Sequence, residues 1–290
     1  MTRDEWETLC KEGPVLLDGA WGTELQSRGL PPGEASDLWN ESHPDKVTAV
    51  AAAYVEAGSR IILTNTFGAS RIMLDGHGQG ASAPEINRKG AMLSREAAGK
   101  QAYVFGSMGP CGKMLMMGDI TEDELLAAFT EQAEALKEGG ADGLLVETMA
   151  DLNEAVIAVR AAVTTHLPVV ASLVYDSGPD KDRTMMGVTP EQAAEAIVEA
   201  GAWGIGANCG QGPEGFISIC ERYRQACDLP IWMKPNAGLP VVVDGQTTYE
   251  MTPSAFADFV PRLQAAGATY IGGCCGTNPA FIAALSERLK

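Results

Sequence analysis

Eight short apolar runs recur along the chain, at residues 15–17, 60–63, 102–105, 143–146, 169–174, 203–207, 231–233 and 269–271. Between them lie helix-like segments with start signals. Ser82 with Glu85, Thr121 with Glu124 and Asp151 with Glu154 stand at capping-box spacing, and Thr189-Pro190, Thr252-Pro253 and Asn278-Pro279 read as a cap followed by proline. Leu125, Phe129, Ala133 and Leu136 repeat at helical spacing behind one of these starts, which predicts an apolar stripe laid on a sheet. Gly58, Gly140, Gly201 and Gly267 each precede an apolar run, where a left-handed glycine closes a helix before the next strand begins. Strand and helix therefore alternate eight times, with parallel crossovers as the natural connection. The expected fold is α/β, a single (β/α)8 TIM-type barrel spanning residues 1–290 as one domain. A doubly wound open sheet is the weaker alternative, because no Gly-x-Gly-x-x-Gly follows the first run.

The length of 290 residues suits such a barrel, which commonly needs about 250. With 38 Asp and Glu against 21 Lys and Arg the net charge is −17, which argues against a nucleic-acid or anionic-membrane partner. Seven cysteines is an odd number, and the opening residues lack the apolar stretch of a signal peptide, so a reducing cytoplasm is expected. No apolar run approaches the roughly 18 residues of a spanning helix.

In a barrel the chemistry gathers where the strands end, and the long irregular stretches 31–44, 75–84, 111–120 and 175–188 all follow strands. Cys209 leaves the sixth run and Cys274-Cys275 leave the eighth, among glycines. If those ends adjoin, three sulfurs converge, and three thiolates on Zn²⁺ leave a fourth tetrahedral position for a substrate sulfur. Three other readings stay open on residue types alone: buried small hydrophobes, a phosphate loop built on Gly272-Gly273, or redox thiols. Asp18 and Glu147 suit the ammonium of an amino acid, with loop amides around Gly19 and Ala20 for its carboxylate; either acid can equally cap a helix or pair with a lysine. His43 and His166 read as structural, and His77, between glycines, as part of a lid. Met114, Met116, Met117, Met185 and Met186 are expected to pack beneath their loops, the alternative being a surface for a large cofactor or partner.

Asp18-Gly19-Ala20-Trp21-Gly22-Thr23, Thr64-Asn65-Thr66-Phe67-Gly68, Gly106-Ser107-Met108-Gly109-Pro110, Glu147-Thr148, Asn208-Cys209-Gly210 and Gly272-Gly273-Cys274-Cys275-Gly276-Thr277 together resemble the homocysteine S-methyltransferase family, from about Val15 to the C-terminus. The resemblance implies zinc on Cys209, Cys274 and Cys275, and homocysteine as the methyl acceptor giving methionine. It also implies that Asp18 and Glu147, with Gly19 and Ala20, hold the amino-acid end, and it places Asn65 and Thr66 among the substrate-binding residues. Asn236 matches an asparagine that fills the fourth zinc position until the substrate thiol displaces it. Stretches 64–70 and 106–112 are similar to the homocysteine module of cobalamin-dependent methionine synthase. In a chain ending at Lys290 the folate and cobalamin modules of that synthase are not expected, so the donor implied is a separate methylcorrinoid protein or methylcobalamin. A small onium donor (a betaine, dimethylsulfoniopropionate or S-methylmethionine) is the alternative, and a non-catalytic zinc or thiol module is the alternative of another class. Cys111 stands where a hydroxyl residue is expected and places a thiol near the mouth.

Overall fold

Each apolar run becomes a strand of one parallel sheet. In the computed structural model, which describes residues 1–11, 13–243 and 246–290, these are β1 (Val15–Leu16), β2 (Ile61–Leu63), β3 (Tyr103–Met108), β4 (Gly143–Met149), β5 (Val169–Leu173), β6 (Gly204–Asn208) and β7 (Ile231–Lys234). A hairpin, β8 (Pro240–Val243) and β9 (Gln246–Tyr249), precedes the last barrel strand, β10 (Ala268–Ile271). The sheet order is β1-β10-β7-β6-β5-β4-β3-β2, every neighbour parallel. Three bonds draw β1 to β2. The Arg60 N–H donates to the Leu16 carbonyl at 2.8 Å, the Ser59 hydroxyl to the Leu17 carbonyl at 3.1 Å, and the Leu63 N–H to the Asp18 carboxylate at 2.7 Å. A side-chain oxygen thus stands in for a ladder carbonyl where β1 has already ended. The result is a (β/α)8 barrel.

Helices cover the outside as the stripe pattern requires. Glu122–Glu138 buries Leu125, Phe129, Ala133 and Leu136 against the strands, the leucine and phenylalanine side chains each contributing roughly 1.5–3 kcal/mol. The end of the barrel where strands begin is plugged by the helix Arg3–Lys11. Its Trp6, 1% exposed, stacks on Tyr270 (ring centroids 5.0 Å) and Phe105 (6.0 Å), with Trp232 beside them. No helix among the described residues is long and apolar enough to cross a membrane.

Several local expectations hold and others do not. Thr121 and Thr189 form complete capping boxes, Thr252 and Asn278 cap their helices, and Gly58, Gly140, Gly201 and Gly267 take positive φ. Ser82 makes no cap bond: its backbone is already helical, and its hydroxyl turns to Gln79. Asp151 caps Asn153, but Glu154 is drawn inward to accept the Cys111 N–H at 2.6 Å rather than closing a box. The stretches 31–44 and 75–84 are less irregular than expected, since helices Trp39–Ser42 and Arg71–Asp75 occupy or border them. His77 sits in a hydrogen-bonded turn on Leu74, not in a loose lid. The hairpin is not among the expected strands: it forms a separate two-stranded sheet, with Leu239 and Val241 exposed.

Candidate active site

Cys209 is the first residue beyond β6 and carries φ 63°, a left-handed backbone that a side chain with a Cβ adopts only at a cost of about 1–2 kcal/mol. That turn aims its sulfur back over the strand ends. The loops after β6, β7 and β10 are laced together by main-chain bonds: Cys209 N–H to the Lys234 carbonyl at 3.1 Å, Cys274 N–H to Pro235 at 2.8 Å, and Ala237 N–H to Cys275 at 3.0 Å. The consequence is a cluster. The sulfurs of Cys209, Cys274 and Cys275 all lie within 4.8 Å of one another, and those of Cys209 and Cys275 are 3.6 Å apart. The three thiols compete for their protons: hydrogen bonds from Cys274 and Cys275 pull Cys209 down, and contacts with Cys209 and Cys274 push Cys275 up. A dication would let all three ionise together.

Second contacts fix this centre. Asn208, fully buried, accepts the Thr148 N–H at 2.9 Å and the Ser172 hydroxyl at 2.7 Å, donates to the Thr148 hydroxyl at 2.7 Å, and stands 3.8 Å from the Cys274 sulfur. The Asn236 amide lies against Cys209, yet its buried Oδ1 has no hydrogen-bond partner. Leaving that oxygen unpaired costs roughly 1–3 kcal/mol, which coordination to a metal at the neighbouring sulfurs would offset. The donor set of three soft sulfurs fits zinc. Tyr249, delivered by β9, lays its ring on Gly276: a Cβ there would come within 2.3 Å of the ring. Burial and the sulfurs of Cys275 and Cys209 hold its phenol above the usual range.

Two buried carboxylates lie close by, in different circumstances. Asp18 accepts Lys234 Nζ at 2.5 Å, Trp21 Nε1 at 2.8 Å and the Leu63 N–H. Glu147, 7% exposed, accepts the Ser107 hydroxyl at 2.5 Å; burial pushes it up to about 7 against the pull of Lys234. Lys234 is itself buried, and although burial favours the neutral amine, Asp18 and Glu147 outweigh it and hold the ammonium above its ordinary range. Lys234, Asn208 and Tyr249 carry no assigned role on sequence grounds. The first two are detectable as polar residues closing apolar runs, whereas nothing in the residue types points to Tyr249.

The remaining expected residues are placed as follows. A Cβ on Gly19 would meet Thr277 and Tyr54 at 2.9 Å, and the Ala20 N–H donates to the Thr277 hydroxyl at 3.2 Å. The Asn65 amide binds the Ser36 carbonyl and Asn40, and the Thr66 hydroxyl binds Thr64 and the Ser107 carbonyl, so both side chains brace loops. Cys111 is buried, not offered at the mouth, and burial pushes its thiol up to about 12. Met116, Met117 and Met185 are each about two-thirds exposed, the reverse of packing beneath their loops.

The chain is similar to proteins of known name. It is 32% identical over 287 residues to the methionine synthase of Mycobacterium tuberculosis, a match covering 92% of this chain and 24% of that protein. The methionine synthase of Mycobacterium leprae is 31% identical over 300 residues, again 24% of its length. The chain thus spans about a quarter of these relatives. Among solved structures, the metallated form of the homocysteine methyltransferase MmuM from Escherichia coli superposes with a TM-score of 0.81 at 26% identity, covering 97% of this chain and 98% of that one. The family model described as homocysteine S-methyltransferase matches residues 15–289, and the chain therefore belongs to the homocysteine S-methyltransferase family.

Proposed function

We propose that this chain transfers a methyl group to the thiol of homocysteine, forming methionine, with zinc held by Cys209, Cys274 and Cys275. The observation that carries the reading is the cluster of three sulfurs next to a buried carboxylate, in a chain of this family. When bound, zinc supplies a Lewis acid that lets an incoming thiol lose its proton near neutral pH and remain nucleophilic. Asn236, whose buried oxygen is unpaired, would supply a fourth donor until that thiol arrives. The rest falls to the protein. In this reading Glu147 receives the acceptor's ammonium, the main chain around Gly19 and Ala20 receives its carboxylate, and Asn208 holds Cys274 in place. The thiol proton passes to bulk water, so no protein base is needed. A new sulfur–carbon bond forms as the donor–methyl bond breaks, its electron pair staying with the donor.

For the donor we favour methylcobalamin or a methylcorrinoid protein, because Phe67, Met114, Met116 and Met117, on loops after β2 and β3, present exposed apolar side chains suited to a large partner. A small onium donor is the second reading, favoured by the Tyr249 ring beside the sulfurs, since aromatic faces attract such cations. We place residues 1–290 in one domain working in the cytoplasm, where thiols stay reduced.

The test is a donor screen with zinc-loaded protein and homocysteine, comparing methylcobalamin, methyltetrahydrofolate and several onium compounds, with methionine as readout. Methionine from one donor class supports the reading and chooses the donor. Zinc binding with no methionine from any of them would leave a non-catalytic zinc module.

A further inference from the structure

Lys234 is the charged side chain that the acceptor chemistry leaves without a task. It is 2% exposed, and a buried ammonium persists only where opposite charge and hydrogen bonds compensate it. It reaches from the end of β7 to Asp18 at the end of β1, at 2.5 Å, passing β10 that lies between them. Trp21 Nε1 and the Leu63 N–H fill the other Asp18 oxygen, so that carboxylate is committed. Glu147 also lies within electrostatic reach of Lys234, and the hydrogen bond it accepts among the described residues comes from Ser107. Among the described residues the Lys234 ammonium bonds Asp18 while the Glu147 carboxylate accepts from the Ser107 hydroxyl, which leaves Glu147 open to the ammonium of an amino acid.

We propose that Lys234 is a positioning residue for the acceptor: by holding Asp18 it leaves Glu147 as the lone carboxylate for the acceptor's ammonium. The proposal rests on the homocysteine reading above. Its sharpest consequence concerns Asp18. With the charge of Asp18 removed, Lys234 has Glu147 as its remaining buried carboxylate, and it takes the place the acceptor's ammonium needs. Lys234→Met alone would strand a buried carboxylate and destabilise the barrel, so the neutral pair is the informative partner variant.

The experiment is calorimetric titration of homocysteine into zinc-loaded wild type, Asp18→Asn and Asp18→Asn/Lys234→Met, with zinc content and thermal unfolding measured on each. Asp18→Asn is expected to weaken homocysteine by about tenfold or more while keeping zinc, and the double variant to recover most of that loss. A merely structural Lys234 yields no recovery. Equal weakening in both variants, with zinc retained and the wild type binding normally, would mean that Asp18 itself holds the ammonium and would overturn the proposal alone. Zinc-loaded wild type that gives no homocysteine heat would overturn the acceptor reading and this proposal with it.

Discussion

The sulfurs of Cys209 and Cys275 stand 3.6 Å apart although 66 residues separate them in the chain. They meet because β6 and β10 flank β7, and because the turn at Cys209 points its side chain across the gap. Replacing Cys209, Cys274 or Cys275 by serine should each lower zinc affinity by more than the ~10–100-fold that outer contacts typically cost. The barrel should remain folded. Chelator competition gives the affinity and circular dichroism the fold; full zinc in all three variants would refute the ligand set.

Asn208 offers a graded version of the same test. Asn208→Ala leaves the half-buried Thr148 N–H and the buried Ser172 hydroxyl without their acceptor and frees Cys274. The expected cost is on the order of 2–4 kcal/mol in stability, with zinc affinity falling about 10–100-fold. Urea unfolding and zinc titration separate the two, and a variant as stable as wild type would show that Asn208 is not the keystone of these loops.

Glu147 makes stability depend on pH in a defined sense. Burial raises its folded value to about 7, above the roughly 4.3 of an unfolded glutamate, so the folded state binds the proton more tightly. Its contribution to stability is therefore full below the unfolded value and lost as pH rises through about 7. Glu147→Gln should gain on wild type between pH 5 and pH 8 by on the order of 1–3 kcal/mol, read from urea midpoints at both pH values. Homocysteine binding should run the other way in wild type, strengthening as the carboxylate ionises; the glutamine variant should lose the part of that dependence owed to Glu147 and keep the part owed to the thiol proton released on binding, while zinc binding persists.

Gly276 tests the hairpin. Its φ of 81° disfavours any side chain, and a Cβ would enter the ring of Tyr249. Gly276→Ala should cost at least about 1–2 kcal/mol and displace Tyr249 from the sulfurs. Fluorescence-monitored unfolding and the absorption spectrum of the cobalt-substituted protein report on each; an unchanged melt and spectrum would show that the ring does not bear on the centre.

The strands are legible in the sequence because each contains a short, mostly apolar run between helix signals, and the meeting of three sulfurs follows once Cys209 and Cys274-Cys275 are placed at strand ends. What is not legible depends on contacts far apart in the chain. Glu154 sits at capping-box spacing from Asp151, yet the Cys111 N–H offers it a buried donor. Asp18 reads equally as an acid awaiting a ligand or as one that caps a helix or pairs with a lysine, and nothing local singles out its partner, which lies 216 residues away. The exposed methionines run against the ordinary preference of that side chain, and local pattern carries no signal of such an exception.

The plug formed by Arg3–Lys11 bears on how the chain tolerates trimming. The family match begins at Val15, yet Trp6 seals the floor of the barrel ahead of that point. A protein cut back to start at Val15 would keep every sulfur and carboxylate of the site while uncovering Tyr270, Phe105 and Trp232 to water. Such a truncation would expose a sticky aromatic face and tend to aggregate, so a loss of activity in it would report on solubility rather than on catalysis.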